Sequence, residues 1–147
     1  MGRPDRMPTD ALIGIHVLVV DDDKDARELF RTVLQYSGAL VTVVTTAAEA
    51  LEAMAVVVPD VLVTDIAMPA RDGYWLIERV RALPLERGGN VAAIAVTAHG
   101  SVHSVERAEG AGFQILLRKP LDPWDLCRHV AALAGRGDSG TQGASRA

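Results

Sequence analysis

Apolar runs rich in β-branched residues alternate five times with segments of helical period along this chain, and that alternation constrains the fold more than any single residue does. The strand candidates are 15–20 (IHVLVV), 40–44 (LVTVV), 60–64 (DVLVT), 91–96 (VAAIAV) and 113–117 (FQILL). Most are apolar on both faces, as strands of a parallel sheet covered on both sides must be. The first helix carries Ala26, Leu29, Phe30, Val33 and Leu34 on one stripe, with Gly38 where a C-terminal cap belongs. The second opens on Thr46 and Glu49 in a capping-box pattern, with Ala47, Ala50, Leu51, Met54 and Val58 as its stripe. The third follows Asp72 and aligns Gly73, Leu76, Ile77 and Val80. A weaker fourth, about 101–111, aligns Val102, Val105, Ala108 and Glu109. The fifth has Asp122 as cap and Pro123 at its first position, then Leu126, Val130 and Leu133. Five βα units in alternation predict an α/β fold, a doubly wound (βα)5 arrangement with a five-stranded parallel sheet in three α/β/α layers.

At 147 residues and 49% hydrophobic, the chain has the material for one core. Residues 14–134 hold all five units. The ends, 1–13 and 135–147, are polar and rich in glycine or proline, and read as a disordered leader and tail. A net charge of −4 argues against direct binding to nucleic acid or to an anionic membrane. A single cysteine, Cys127, excludes an internal disulfide and fits a reducing compartment. No apolar run reaches membrane-spanning length. Residues 11–20, with Arg3 and Arg6 upstream, faintly resemble a signal peptide, but DDDKD follows where a small-residue cleavage site belongs. The expected location is cytoplasmic.

In a parallel sheet all strands end on one edge, and ligands bind there. The first strand candidate runs into Asp21-Asp22, the third into Thr64-Asp65, the fourth into Thr97 and the fifth into Lys119-Pro120. Three carboxylates, a hydroxyl and an ammonium can therefore meet in one pocket. Clustered carboxylates raise one another's pKa values, and a hard divalent cation relieves this. Mg²⁺ suits such a site, since it takes oxygen ligands and favours one or two carboxylates plus phosphate oxygens. Asp65 could then act as a nucleophile toward phosphorus, with Thr97 and Lys119 neutralising the transferring oxygens.

The segments VLVVDDD, VLVTDIAMPARDG, AVTAHG and LLRKP, in that order and each at a strand end, resemble the receiver domain of two-component response regulators over about residues 15–134. The resemblance implies a flavodoxin-like strand order 2-1-3-4-5 and a phosphoacceptor that catalyses its own phosphorylation and dephosphorylation, with Mg²⁺ as cofactor. It implies Asp65 as phosphoacceptor, Asp22 as direct metal ligand, Asp21 assisting through water, and the Ala67 carbonyl as a further ligand. Thr97 is similar to the family's switch hydroxyl and Lys119 to its phosphoryl-pairing lysine, with Pro120 after it in a candidate cis peptide. Met68-Pro69 and Gly73 match the loop after the phosphoacceptor. The implied partners are a histidine kinase or histidine phosphotransfer protein and an unknown output protein. No output domain is read after the fifth helix, so output is expected to pass through that partner or through competition for phosphoryl groups. One position departs. The family carries an aromatic residue or histidine three before the lysine, and here that residue is Leu116.

Plainer readings stand beside these. Asp23 precedes KDARELF and reads as a helix cap rather than a ligand. His99 and His103 are four apart but lack a third ligand, and read as surface histidines. His16, at the start of its strand, reads as structural, and Cys127 as an inert, partly buried thiol. Trp75 lies roughly 150° from its helix's stripe, and Trp124 is similarly displaced. Either each is exposed and anchors a partner, or each is partly buried against neighbouring loops. Trp124 would lie near the face that the family uses for output. Two other functions compete with a phosphorylation switch. A degenerate receiver would bind partners without phosphorylation, and Leu116 alone favours it. A haloacid-dehalogenase-type phosphatase needs an acid/base aspartate two residues after its nucleophile, where this chain has Ala67.

Overall fold

The computed structural model describes residues 10–98 and 104–135. Its five strands are β1 (His16–Val20), β2 (Leu40–Val44), β3 (Val61–Asp65), β4 (Ala92–Thr97) and β5 (Ile115–Arg118). They form one parallel sheet in the order β2-β1-β3-β4-β5. The helices are α1 (Lys24–Tyr36), α2 (Ala47–Val56), α3 (Gly73–Arg81), α4 (Val105–Ala111) and α5 (Pro123–Leu133), with one 3₁₀ turn at Leu85–Arg87 before β4. The expected fold class and strand order hold.

Two apolar clusters, one on each face of the sheet, make up the core. Alternate strand residues divide between them, as period-two geometry requires. Val17, Val19, Val61, Val63, Ile94 and Val96 face α1 and α5, where they meet Phe30, Leu34, Leu126 and Val130. Leu18, Val20, Leu62, Ala93 and Ala95 face the other layer, where Met54, Leu76, Ile77, Val80 and Ala108 cover them. β3 is buried along its whole length, because it lies in the middle of the sheet. The edge strands β2 and β5 are only partly covered.

Three helices start on an aspartate cap, and two of these, Asp23 and Asp122, are legible in the sequence. Asp23 accepts the Ala26 amide (3.3 Å), Asp72 that of Trp75 (2.9 Å) and Asp122 that of Trp124 (3.0 Å). At α2 the capping box is shifted by one residue. Thr46 accepts the Glu49 amide, but Glu49 reaches back to the amide and hydroxyl of Thr45 (2.8 and 2.9 Å) rather than to Thr46. Past α1, Gly38 has φ +100°, the left-handed conformation that glycine adopts without penalty.

Several expectations are corrected. The sequence pattern places a leader at 1–13, yet Leu12 is fully buried against the α1–α5 cluster and its amide donates to the Ser37 carbonyl (2.7 Å). Leu12 therefore belongs to the packed core. Leu29 is 48% exposed, since it lies roughly 85° from the centre of the buried stripe at 100° per residue. Val58 falls beyond the end of α2 and is exposed. α4 begins only at Val105, which is itself exposed, and Ala108 is its single buried residue. Val102, His99 and His103 lie outside the described residues, as do 1–9 and 136–147.

Cys127 is buried completely rather than partly, and its sulfur accepts from the Ser37 hydroxyl (3.8 Å). Burial pushes the thiol up to about 11. At pH 8 the native protein is therefore expected to resist a thiol reagent over the time in which the urea-unfolded chain reacts completely. Equal rates in the two states would contradict this packing.

Candidate functional site at the carboxyl edge of the sheet

Parallel pairing fixes where each candidate residue lies. Val20 pairs with Thr64, so Asp21 and Asp65 emerge side by side from β1 and β3. Asp65 pairs with Val96, which places Thr97 one residue further out on β4. Thr97 in turn pairs with Arg118, and the Lys119 amide donates to the Thr97 carbonyl (2.8 Å). Strand register alone thus delivers Asp21, Asp65, Thr97 and Lys119 to one edge.

The side chains converge. Carboxylate oxygens of Asp21, Asp22 and Asp65 lie within 4.8 Å of one another. Asp21 and Asp65 are buried and Asp22 is exposed, so the cluster has a dry floor and a wet rim. The Lys119 ammonium reaches in from β5, 3.1 Å from Asp21 Oδ2 and 3.7 Å from Asp65 Oδ2. Burial pushes the Asp65 carboxyl up to about 6. The nearby charge of Lys119 opposes this, Asp21 adds to it, and the Ala67 amide, donating to Asp65 Oδ1 (3.3 Å), opposes it. For Lys119, burial lowers the pKa, but Asp21 and Asp65 outweigh it and the net shift is upward.

The site frame is backbone. Asp21 Oδ1 accepts the Asp23 amide (2.9 Å), so the carboxylate next to the metal candidates also braces the entry to α1. Asp22, between them, is left facing solvent. Arg27, one turn into α1, donates to the Asp21 carbonyl (3.0 Å). The sequence reading missed this residue, and only its position five after Asp22 could have drawn attention to it. After Asp65 the chain closes on itself. The Gly73 amide donates to the Ile66 carbonyl (2.8 Å), the Arg71 amide to the Pro69 carbonyl (2.8 Å), and Ala70 sits in the left-handed region at φ +66°. Lys119-Pro120 is cis, as expected.

Gly73 is required by space. A Cβ there would lie 2.8 Å from the Asp65 carbonyl oxygen and 2.9 Å from Ile66 Cα. Neither is a flexible side chain, so the backbone beneath the cluster would have to move. Gly73→Ala is expected to lose roughly 1–3 kcal/mol in urea unfolding. An unchanged midpoint would show that the loop yields.

The remaining candidates fall elsewhere. Leu116 packs half-buried against the α2–α4 cluster. His16 stands at the opposite edge, its ring 2.8 Å from the Thr42 hydroxyl. Neither tryptophan is fully exposed. Trp124 packs edge-on to Tyr36 (5.5 Å) against the α1–α5 cluster. Trp75 rests on the α2–α4 cluster with the guanidinium carbons of Arg71 and Arg79 over its ring at 4.6 and 4.9 Å. Partial burial is thus the outcome for both. Trp75 lies so far from its helix's stripe that the sequence offers no core neighbour for it; the four-residue spacing of 71, 75 and 79 is the signal that points to the two arginines.

The donor set fits a hard divalent cation. All three groups are carboxylates, and oxygens sharing one Mg²⁺ at 2.0–2.1 Å lie up to about 4.2 Å apart, so the cluster needs to contract only slightly. Comparison with known proteins gives a consistent result. A family model described as the response regulator receiver domain matches residues 17–131. An uncharacterised 14.6 kDa protein in the sodA1 3′ region of Leptolyngbya boryana is 45% identical over 81% of this chain and 89% of its own length. The transcriptional regulatory protein FixJ of Azorhizobium caulinodans is 36% identical over 82% of this chain but only 55% of its own. The chain thus spans about half the length of that regulator. Among solved structures, the receiver domain of a Pseudomonas aeruginosa sensor histidine kinase has a TM-score of 0.75 and 28% identity, covering 83% of this chain and 98% of its own. That structure has a magnesium ion coordinated in its active-site cleft.

Proposed function

The chain belongs to the response regulator receiver domain family, and from that premise we propose that it is a Mg²⁺-dependent phosphorylation switch whose acceptor is Asp65. The observation that carries the reading is the Lys119 ammonium set between Asp21 and Asp65, with Asp22 at the rim of the same cluster.

Asp22, Asp65 and the Ala67 carbonyl would hold the metal directly, and Asp21 would assist through water. Bound Mg²⁺ would neutralise phosphoryl oxygens and draw the donor toward the carboxylates. An Asp65 carboxylate oxygen attacks phosphorus in line. The bond from phosphorus to the donor's leaving group breaks on the far side, and an acyl phosphate forms. Lys119 and the Thr97 hydroxyl take phosphoryl oxygens, stabilising charge that the neighbouring carboxylates would repel. The modification adds nearly two negative charges, which draw Lys119 away from Asp21 and change the face formed by α4, β5 and α5. With Leu116 at the position where the family has an aromatic residue, that change would be carried by backbone and α4 movement.

The donor would be a histidine kinase or a histidine phosphotransfer protein, and the output would pass to a protein partner in a cytoplasmic relay. Among the described residues no helix is long and apolar enough to cross a membrane. Ala67 offers a methyl group where a phosphatase acid/base would stand, and the carboxylates and lysine that a degenerate receiver would lose are all present. The test is intact mass after incubation with acetyl phosphate, with Mg²⁺ or with EDTA. One phosphoryl group gained only with the metal supports the switch, and none gained in either condition refutes it.

A further inference from the structure

Residues 71, 75 and 79 recur at four-residue spacing, which places them along one side of α3 and the loop that leads into it. Trp75 lies between the two arginines in sequence, and both guanidinium carbons lie over its ring. The indole rests on the apolar cluster beneath, so the platform is anchored, whereas Arg71 and Arg79 are exposed. Among the described residues neither arginine has a carboxylate within ion-pair distance. The acids nearest in sequence do not compensate them. Asp72 accepts the Trp75 amide, and Glu78 lines the neighbouring groove with Arg81 and Arg107.

From this arrangement we infer that the Arg71–Trp75–Arg79 stack is a docking site for an acidic segment of a partner protein. A guanidinium held over an aromatic ring makes no hydrogen bond to it, so its N–H groups remain available to take a carboxylate by two hydrogen bonds. Rotamers already held against an aromatic ring lose less freedom on binding, so more of each new hydrogen bond appears as affinity. Trp and Arg are also the residue types that carry most of the energy at protein interfaces. Two forks on one ring suit acidic side chains a helical turn apart, roughly 5–6 Å between their Cβ atoms. Local charge selects the occupant. At physiological ionic strength the chain's −4 is screened beyond about 8 Å, so a short acidic segment feels mainly the two uncompensated guanidiniums.

The site goes beyond the phosphorylation reading and does not depend on it, so it is tested without Mg²⁺ or a phosphodonor. Calorimetric titration at about 0.15 M salt, where charges beyond about 8 Å are screened, uses an acetylated octaglutamate peptide as the probe. Saturable binding is expected, with affinity falling roughly tenfold in the Arg71→Gln/Arg79→Gln double variant and less than twofold in Arg87→Gln, an exposed arginine on the 3₁₀ turn. The Arg71→Lys/Arg79→Lys variant keeps both charges but loses the planar forks, and is expected to bind several-fold more weakly than wild type. Thermal melts check that each variant folds. No saturable binding, an equal loss in Arg87→Gln, full affinity in the double-lysine variant, or tighter binding of a single-stranded oligothymidylate than of octaglutamate would each overturn the inference.

Discussion

Asp65→Asn is expected to gain no phosphoryl group under conditions in which, on the proposed function, the wild-type chain gains one. Asparagine keeps the side-chain shape and an oxygen able to accept the Ala67 amide, so the loop after β3 retains its local bond. What it removes is the negative charge that makes an oxygen nucleophilic toward phosphorus, together with one metal ligand. Loss of labelling would carry little weight if the variant were unfolded, but the opposite stability change is expected. Burial raises Asp65 to about 6, so the ionised carboxylate is less favourable in the folded chain than in the unfolded one. That penalty sets in as pH rises from 3.8 toward 6 and is complete above it. At pH 7.5, without metal, Asp65→Asn should therefore melt at or above the wild-type temperature while failing to label. A mass gain that persists in the variant would place the acceptor elsewhere.

Lys119→Met should cost roughly 2–3 kcal/mol of stability at pH 7.5. It removes the cation that holds Asp21 and Asp65 together and leaves two buried carboxylates uncompensated. The figure is below that for a wholly buried pair, because Lys119 keeps 22% of its side chain exposed. The pH dependence follows from the two shifts. Lys119 is raised, so its contribution is fully present at neutral pH and is lost only in the alkaline range, as pH climbs through its elevated pKa. Without it Asp65 is pushed higher still, and protonation near pH 5 removes one of the uncompensated charges. The gap between wild type and variant in urea midpoint should therefore narrow between pH 7.5 and 5. A constant gap across that range would mean that Lys119 stabilises by packing its stem rather than by charge.

How much of this was legible in the sequence depends on whether the information is local or distributed. Strand residues that alternate between two apolar faces carry their position in their own pattern, so β1, β3 and β4 were placed within one residue. The caps Asp23 and Asp122 were equally plain, because a cap acts on amides two or three residues away. Asp21, Asp65, Thr97 and Lys119 could be brought together because register in a parallel sheet follows from strand ends. Contacts between elements left no such trace. Nothing in the order of residues shows that Leu12 closes the core below α1, that Arg27 holds the Asp21 carbonyl, or that Gly73 lies against Asp65. α4 was the weakest helix in the sequence for the reason it is weak in the fold. It has one buried residue, so its stripe is too short to have a period.

The division of the core by the sheet has an optical consequence. The chain has two tryptophans, one on each side: Trp124 against the α1–α5 cluster and Trp75 against the α2–α4 cluster. Their emission therefore offers two separate channels, each tuned to its own layer. With one indole replaced by phenylalanine at a time, the proposed phosphoryl transfer at the edge could be timed independently on the two faces, with no added dye. The order in which the channels respond would give the direction in which the signal crosses the sheet.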